Sequence, residues 1–511
     1  MENLMQRDSG SDAFYCESVG DFLLPEYLGE IQKVLSVDSR VVPSGRFVSG
    51  SRAEFAGIVA HRVLYTDTEG KMNVAVLNSD YEFSCPVGEE GEVEVFAYTE
   101  ATDVSYRLNG PRRLSVKSVL RSGIHVLSET PLEEPECPER ARMLKKAIKS
   151  LHMLHGKSGE REYADSSSRL DGVPADGAEV LSCTGNVLVR ESQAVNGGVN
   201  IKGEILVRAL VRTSSALPTP VKTQIPFEET IPLEGADADM KTLSDGFLSS
   251  VSASVMSDAQ GGSYLGVSAI AEFCADAYEN RELPVVLDAY AVGAESECES
   301  RIVTYNEFID AATSVSVVSA AIPEEEWCSP GISEITDVSG KVRINEAVVE
   351  GRNILVRGDY EFSVTGAVYD GDVPSPCVTR SSTAFEIPVQ FENVIPPDTF
   401  VECRARLASA DAFIDGSKIV CDGLLVINVA VFEQKETRII HSVEVGAPEE
   451  GKEGTVTVYY PEENETLWDI CRRFKADAAA VSLENSLPDG AQDSPDAFCA
   501  AKAGKYLIIE K

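Results

Sequence analysis

Histidine and cysteine are the side chains of this sequence best suited to metal binding or acid–base chemistry. The 511 residues include five histidines, namely His61, His125, His152, His155 and His441. His152 and His155 would share one face of a helix, but no carboxylate or cysteine close by in sequence completes a ligand set. We therefore expect this pair on a helix surface. We expect His61, on the apolar side of a strand, to be a hydrogen-bonded or edge histidine and not a ligand.

Motifs for nucleophilic or phosphate chemistry are also missing. Residues 155–159 read HGKSG, but the glycine that a phosphate-binding loop needs five residues before Gly156 is Leu151. Neither GxSxG nor HExxH occurs. With 83 acidic side chains, pairs of carboxylates carry no information. We expect no enzyme, no cofactor and no metal site.

The twelve cysteines stand singly, and none forms a CxxC pair. This pattern is typical of a reducing compartment and not of a disulfide framework. No stretch reaches the ~18 apolar residues of a membrane span. The N-terminus lacks the basic and apolar regions of a signal peptide. We expect a cytoplasmic protein with no membrane span.

The charge of the chain restricts its partners. Its formal net charge is −38, which disfavours binding to the phosphates of nucleic acids. Solubility is the simplest explanation of this charge. A more specific explanation is attraction to a basic partner. The hydrophobic content of 43% is ordinary for globular domains, and the length suggests roughly three or four of them.

One sequence pattern occurs three times and predicts the elements of a repeated domain. Each copy has a fixed glycine followed by the alternating apolar residues of a half-buried strand. The fixed glycines are Gly57, Gly203 and Gly358. Seven residues earlier, each copy has a residue that tolerates a hairpin turn, namely Gly50, Asn196 and Gly351.

A second landmark follows each alternating strand. It reads aromatic–Glu–x–x–apolar–Pro and lies at residues 81–86, 227–232 and 391–396. The aromatic residue follows the fixed glycine by 24 residues in the first two copies and by 33 in the third. The closing proline cannot donate to a ladder and predicts a strand end or edge. We attribute the longer spacing in the third copy to an extra loop.

These patterns predict a mainly β fold of three repeated antiparallel domains, each a β-sandwich or a barrel-like unit. We place the repeats at residues 20–130, 176–300 and 325–440. Residues 131–175 are predicted to form a basic amphipathic helix and a flexible linker. The apolar face of this helix would hold Leu144, Ile148 and Leu151. This helix either docks on its own domain or binds a partner.

Residues 455–511 predict a strand, two helices and a final strand. The run TLWDI at residues 466–470, Arg473-Phe474, Leu483, Asn485 and residues 504–509 resemble a LysM domain, an α+β (βααβ) fold. The resemblance implies a groove for N-acetylglucosamine glycans between two loops. Its residues would be Asn464, Glu465, Thr466, Leu467, Asn485, Ser486 and Leu487.

The three repeats, with FLLPEY at residues 22–27 and IQKVL at residues 31–35, resemble the SPOCS domain. SPOCS copies followed by one LysM module are similar to spore-coat morphogenetic proteins of spore-forming bacteria. The resemblance implies a non-enzymatic scaffold or adaptor in the mother-cell cytoplasm, at the forespore surface. Its LysM module would bind the ATPase of the coat's basement layer or another coat protein. The alternative is a peptidoglycan-binding LysM protein of the cell wall or cortex.

Overall fold

The computed structural model of this chain describes residues 3–8, 10–87, 93–170, 177–213, 217–257, 262–327, 331–370, 373–448, 456–462, 465–487 and 505–510. The fold is mainly β and consists of several separate antiparallel sheets. Six of the sheets in these ranges pack face to face in pairs, because one apolar side of each sheet must be buried. We call the pairs the first, second and third sandwich.

The first sandwich is built from seven strands. They are β1 (Leu4–Asp8), β2 (Ser11–Leu23), β3 (Ile31–Ser49), β4 (Arg52–Asp67), β5 (Met72–Pro86), β6 (Val93–Gly110) and β7 (Arg113–Pro131). One sheet has the order β3-β4-β5. In the other sheet β7 is central, with β6 on one side and both β1 and β2 on the other. Val59, Phe83 and Leu120 meet in the core between them.

The second sandwich repeats this arrangement of strands. They are β8 (Ala141–Lys157), β9 (Arg161–Arg169), β10 (Glu179–Val195), β11 (Gly198–Arg212), β12 (Thr219–Pro232), β13 (Lys241–Ser257) and β14 (Ser263–Ala291). One sheet has the order β10-β11-β12. In the other, β14 lies between β13 and the pair β8 and β9.

The third sandwich differs only in one edge strand. Its strands are β15 (Ala294–Pro323), β16 (Glu334–Glu350), β17 (Asn353–Asp370), β18 (Val373–Gln390), β19 (Phe400–Asp415) and β20 (Lys418–Pro448). One sheet has the order β16-β17-β18, and the other has β15-β20-β19. The single strand β15 runs along β20 where the other sandwiches have two strands.

Each fixed glycine lies opposite an aromatic residue on the neighbouring strand. The pairs are Gly57 with Tyr81, Gly203 with Phe227 and Gly358 with Phe385. A Cβ atom at these glycines would lie 2.6, 2.8 and 2.7 Å from the respective aromatic rings. The ring therefore covers the backbone at a position where only glycine fits.

The third aromatic partner corrects the sequence prediction. Phe391, the predicted landmark, lies just beyond β18, where its N–H donates to the Arg352 carbonyl at 2.8 Å. The true partner of Gly358 is Phe385, six residues earlier. The chain has Phe-Glu at residues 385–386 and again at 391–392, so local sequence cannot choose between them. The register of the sheet decides.

The predicted basic helix within residues 131–175 is wrong, because residues 141–157 form strand β8. This strand pairs with β14 over its whole length. Its two faces both contact neighbours, through Ile148 on one side and Met153 on the other. A strand covered on both faces loses clean alternation, so its apolar residues can be misread as a helical face. The predicted linker contains β9, and residues 171–176 lie outside the described ranges.

Each sandwich contacts both of the others. One buried cluster joins Met5, Ile148 and Val303 from the three sandwiches. A second joins Leu64, Leu210 and Ala367. The three sandwiches therefore share apolar cores at their contacts and are not independent domains joined only by linkers.

The C-terminal module comprises β21 (Val456–Tyr459), α1 (Leu467–Phe474), α2 (Ala478–Glu484) and β22 (Leu507–Glu510). The two strands pair antiparallel. Ile470 and Cys471 of α1 and Val481 of α2 form its core together with Ile509. Tyr290 of the second sandwich also belongs to this core, so the module is packed against that sandwich.

Candidate functional site

The first predicted loop of the module mainly fixes the start of α1. Thr466 caps the helix: its Oγ1 accepts from the N–H of Asp469 at 3.2 Å, and the Asp469 carboxylate accepts from the Thr466 N–H at 3.0 Å. The buried Glu465 carboxylate accepts from the Tyr459 hydroxyl at 2.8 Å and pairs with Arg473 at 2.7 Å. Leu467 is a core residue. Asn464 lies outside the described residues.

The second predicted loop fixes the last strand. The Asn485 side chain donates to the Ile508 carbonyl at 2.6 Å and accepts from the Ile508 N–H at 2.7 Å. Leu487 packs against the same core as Leu467, so the structure brings the two loops together. Ser486 is exposed, with a φ of 49°. Of the predicted site residues described, Ser486 is the most available to a partner.

The C-terminal module also carries exposed apolar side chains. Tyr460 and Tyr506 lie side by side with ring centroids 6.1 Å apart. Leu483 on α2 is 84% exposed. Aromatic and leucine side chains left in solvent are typical of a contact surface.

Polar contacts hold the module against the second sandwich. Asp288 accepts from the Trp468 indole N–H at 2.9 Å and pairs with Arg472 at 2.9 Å. The Tyr290 hydroxyl donates to the Ala476 carbonyl at 2.9 Å. These contacts use one face of α1 and the turn after it.

Asp477 connects the same interface to α2. It accepts from the Arg142 side chain at 3.0 Å and from the N–H groups at the start of α2. Burial alone would raise the pKa of Asp477, but the hydrogen bonds from Arg142 and these N–H groups lower it below its ordinary value. The carboxylate therefore stays charged and serves both as a helix cap and as a docking contact.

A buried network of charged side chains lies where the three sandwiches meet. We call it the central junction, and its members are Asp8, Tyr98, His125, His155, Asp276, Glu402 and Arg404. This network is not predicted by the sequence patterns described above. Asp276 could have indicated the network, because it is a charged residue inside the apolar run of β14.

Asp276 is the fully buried centre of the junction. Its carboxylate accepts from the Tyr98 hydroxyl at 2.8 Å, His155 Nδ1 at 2.8 Å and Arg404 at 2.7 Å. Burial would raise its pKa, but the Arg404 charge and the His155 hydrogen bond hold the pKa well below its ordinary value. The three donors come from three different sandwiches.

His125 joins two further carboxylates of the junction. Its Nδ1 lies 2.6 Å from Asp8 and its Nε2 lies 3.4 Å from Glu402. Burial would lower its pKa, but the hydrogen bonds to Asp8 and Glu402 raise it to about 10. The imidazole is therefore protonated at neutral pH. Phe96 stacks between His125 and His155, at centroid distances of 4.6 and 3.8 Å.

The predicted surface position of His152 and His155 is wrong. His155 belongs to the central junction, and His152 is buried in β8. Burial lowers the pKa of His152 to about 4, so this ring is neutral at physiological pH. The pair lies on a strand and not on a helix surface.

His61 is hydrogen-bonded, as its position on an apolar strand face suggested. Its Nδ1 lies 2.7 Å from Ser39 Oγ and its Nε2 lies 2.7 Å from Ser79 Oγ. Burial lowers its pKa to about 4. No group of three or more His, Cys, Asp or Glu side chains suited to a metal ion occurs among the described residues.

A second charged cluster also joins the three sandwiches. Arg62 of the first pairs with Asp337 of the third at 2.7 Å, and Arg208 of the second lies 3.4 Å from the same carboxylate. Arg62 also donates to Ser182 of the second at 3.3 Å. Both clusters thus lie at boundaries between sandwiches.

Comparison with known protein families places a similarity within the second sandwich. The family model described as SipL, SPOCS domain matches residues 177–256. These residues include β10, β11, β12 and almost all of β13. This part of the second sandwich is therefore similar to a SPOCS domain. No curated protein and no solved structure is significantly similar to the chain.

Within the described ranges, no helix combines the length and the apolar character needed to span a bilayer.

Proposed function

We propose that this chain is a non-enzymatic scaffold or adaptor of spore-coat assembly, with three SPOCS domains and a C-terminal LysM module. The observation that carries the proposal is the SPOCS match in the second sandwich. A SPOCS domain points to a sporulation-related protein. The other parts of the proposal rest on the strand order, the module and the sequence resemblance.

The first and third sandwiches support the assignment of two further SPOCS domains. Each has a three-stranded antiparallel sheet facing a second sheet, as in the matched sandwich. The glycine–aromatic pair recurs in each of these three-stranded sheets, at Gly57 with Tyr81 and at Gly358 with Phe385. A turn glycine with positive φ precedes each pair, namely Gly50, Gly197 and Gly351. In the second copy the positive φ thus lies at Gly197 and not at the predicted Asn196.

The C-terminal module is the part that we propose to dock a partner protein. Glu465, Thr466 and Asn485 use their hydrogen-bonding groups within the module and leave few for a sugar. Tyr460, Leu483 and Tyr506 instead offer exposed apolar surface, which suits a protein partner. The partner would be the ATPase of the coat's basement layer or another coat protein, in the mother-cell cytoplasm at the forespore surface.

Direct binding assays with the full chain test this proposal. We expect the purified basement-layer ATPase to bind and Leu483→Asp to weaken binding at least tenfold, since a charge would enter an apolar contact. Val76→Asp is the matched control, because Val76 is 64% exposed on the first sandwich, away from the module. Binding of N-acetylglucosamine oligomers without binding of the ATPase would establish the peptidoglycan-binding alternative.

Location and turnover provide a second test. A fluorescent fusion of the full chain should surround the forespore during sporulation, and the same fusion carrying Leu483→Asp should lose this localisation. Release of soluble fragments from peptidoglycan by the purified chain would contradict the non-enzymatic role.

A further inference from the structure

Three β-hairpins, one from each sandwich, provide equivalent positions for comparison. The hairpins are β6–β7, β13–β14 and β19–β20. Each has a one-residue register shift, which lies just after Ala101, Leu248 and Leu407 respectively. The cross-strand partners of these residues are Leu120, Ala271 and Leu425. Counting from these bulges aligns the three sandwiches residue by residue.

The aligned positions converge on the same place. Tyr98, Asp245 and Arg404 stand three residues before Ala101, Leu248 and Leu407, respectively. His125, Asp276 and Ala430 stand five residues after the cross-strand partners Leu120, Ala271 and Leu425. Four of these six belong to the central junction. The adjoining apolar cluster includes Leu127, Tyr278 and Phe432, which are equivalent to one another by the same count.

The side chains at equivalent positions differ in charge and complement one another. Arg404 is cationic, lies 3.7 Å above the Tyr98 ring and pairs with Asp276. The cationic His125 lies between Asp8 and Glu402. Three copies of any one sandwich would instead bring identical groups together, such as three Arg404 side chains without Asp276 or three Asp276 side chains without Arg404.

We propose that the junction faces of the three sandwiches are mutually specific interaction surfaces, which admit one sandwich of each kind and exclude a second copy of the same sandwich. The partners of each face are thus the other two sandwiches of this chain. Buried polar groups set pairing specificity in this way in other assemblies, because a wrong pairing leaves a charge unpaired. Contacts with other proteins must then use the outer surfaces and the C-terminal module.

The test uses the full chain with a protease site inserted between Glu136 and Cys137, two exposed residues of the segment that joins the first sandwich to the second. After cleavage of the folded protein, we expect the two pieces to remain bound as a one-to-one complex in native mass spectrometry. Complexes with two copies of either piece would contradict the proposal, as would immediate separation of the pieces.

Specificity at the junction is measured by a double-mutant cycle on the cleaved chain. Tyr98→Phe removes one hydroxyl and should raise the dissociation constant of the pieces about tenfold. The same change should have a smaller effect in an Asp276→Asn background, because a neutral amide oxygen is a weaker acceptor than a carboxylate. Tyr106→Phe is the matched control, since Tyr106 is exposed on the same strand. Equal effects of Tyr98→Phe in both backgrounds would overturn the proposed coupling.

Charge reversal tests the exclusion of like groups. Glu402→Lys places a second cation beside His125, which lies on the other piece, and should weaken association of the pieces at least a hundredfold. Glu386→Lys is the control, because Glu386 also pairs with a cation, Arg357, but on the surface. Similar dissociation constants for the two variants would show that the junction charges do not select the partner.

Discussion

At the scale of single residues, two buried charges of the central junction, Asp276 and His125, have partners across sandwich boundaries. Asp276 receives three donors, and His125 lies between two carboxylates. An isolated charge in such a place would cost several kcal/mol, so each side chain depends on its partners. This dependence makes single substitutions and pH changes informative.

The His125 imidazole predicts a loss of stability at alkaline pH. Its folded pKa of about 10 is above the ordinary value of 6.5, so its stabilisation is complete below about pH 6.5. That stabilisation is lost as the pH rises toward 10, because the imidazole loses its proton. The difference in unfolding free energy between wild type and His125→Gln should therefore shrink between pH 6.5 and pH 10.

Urea unfolding at several pH values measures this difference. His441→Gln is the control, because His441 is exposed on β20. A difference between wild type and His125→Gln that stays constant across this range would show that the imidazole does not lose a proton there.

The capping threonine gives a prediction for the module. Thr466→Ala should destabilise the module by about 1 kcal/mol, because the N–H of Asp469 loses its acceptor. Hydrogen exchange of α1 amides measures this loss locally. Ser482→Ala, in the interior of α2, should have a smaller effect. Faster exchange in Ser482→Ala than in Thr466→Ala would contradict the capping role.

At the scale of elements, one cross-strand pair recurs in all three sandwiches. A fixed glycine on the middle strand lies under an aromatic ring of the next strand. The carbonyl of a facing residue approaches from the other side, Leu188 in the case of Gly203. The pair fixes the register of each three-stranded sheet, because no other residue fits below the ring.

Substitution of the central glycine tests this packing. Gly203→Ala should destabilise the protein by about 1–3 kcal/mol, because the added methyl group meets the Phe227 ring and the Leu188 carbonyl. Gly159→Ala is the control, since a Cβ atom there meets nothing within 4 Å. Thermal unfolding compares the two variants. Equal melting temperatures would show that the site can absorb a methyl group.

At the scale of the whole molecule, the C-terminal module is fixed to the second sandwich. Asp288 provides two of the contacts, to Trp468 and Arg472. The fixed orientation restricts which face of the module can reach a partner.

Loss of the Asp288 charge should release the module. In Asp288→Asn, the Trp468 indole loses its carboxylate partner, and Trp468 emission should shift to longer wavelength as water reaches the ring. The measurement needs Trp327→Phe as background, because Trp327 and Trp468 are the two tryptophans of the chain. Glu297→Gln, on the exposed side of β15, should leave the emission unchanged. An unchanged spectrum in Asp288→Asn would show that apolar contacts alone hold the module.

The sequence by itself predicted the mainly β fold, the fixed glycines and the order of elements in the C-terminal module. These features depend on residues close together in the chain, such as the alternation after Gly203 or the cap at Thr466. The hydrogen-bonded role of His61 could be inferred for the same reason, because its strand alternates clearly.

Tertiary structure alone decided the rest. The sequence of strand β8 has helical periodicity, and its pairing with β14 makes it a strand. The aromatic partner of Gly358 depends on the register of its sheet. The central junction joins Tyr98, Asp276 and Arg404 from three sandwiches. Local sequence patterns cannot predict such contacts, because the free energy of burying a charge depends on partners more than a hundred residues away in the chain.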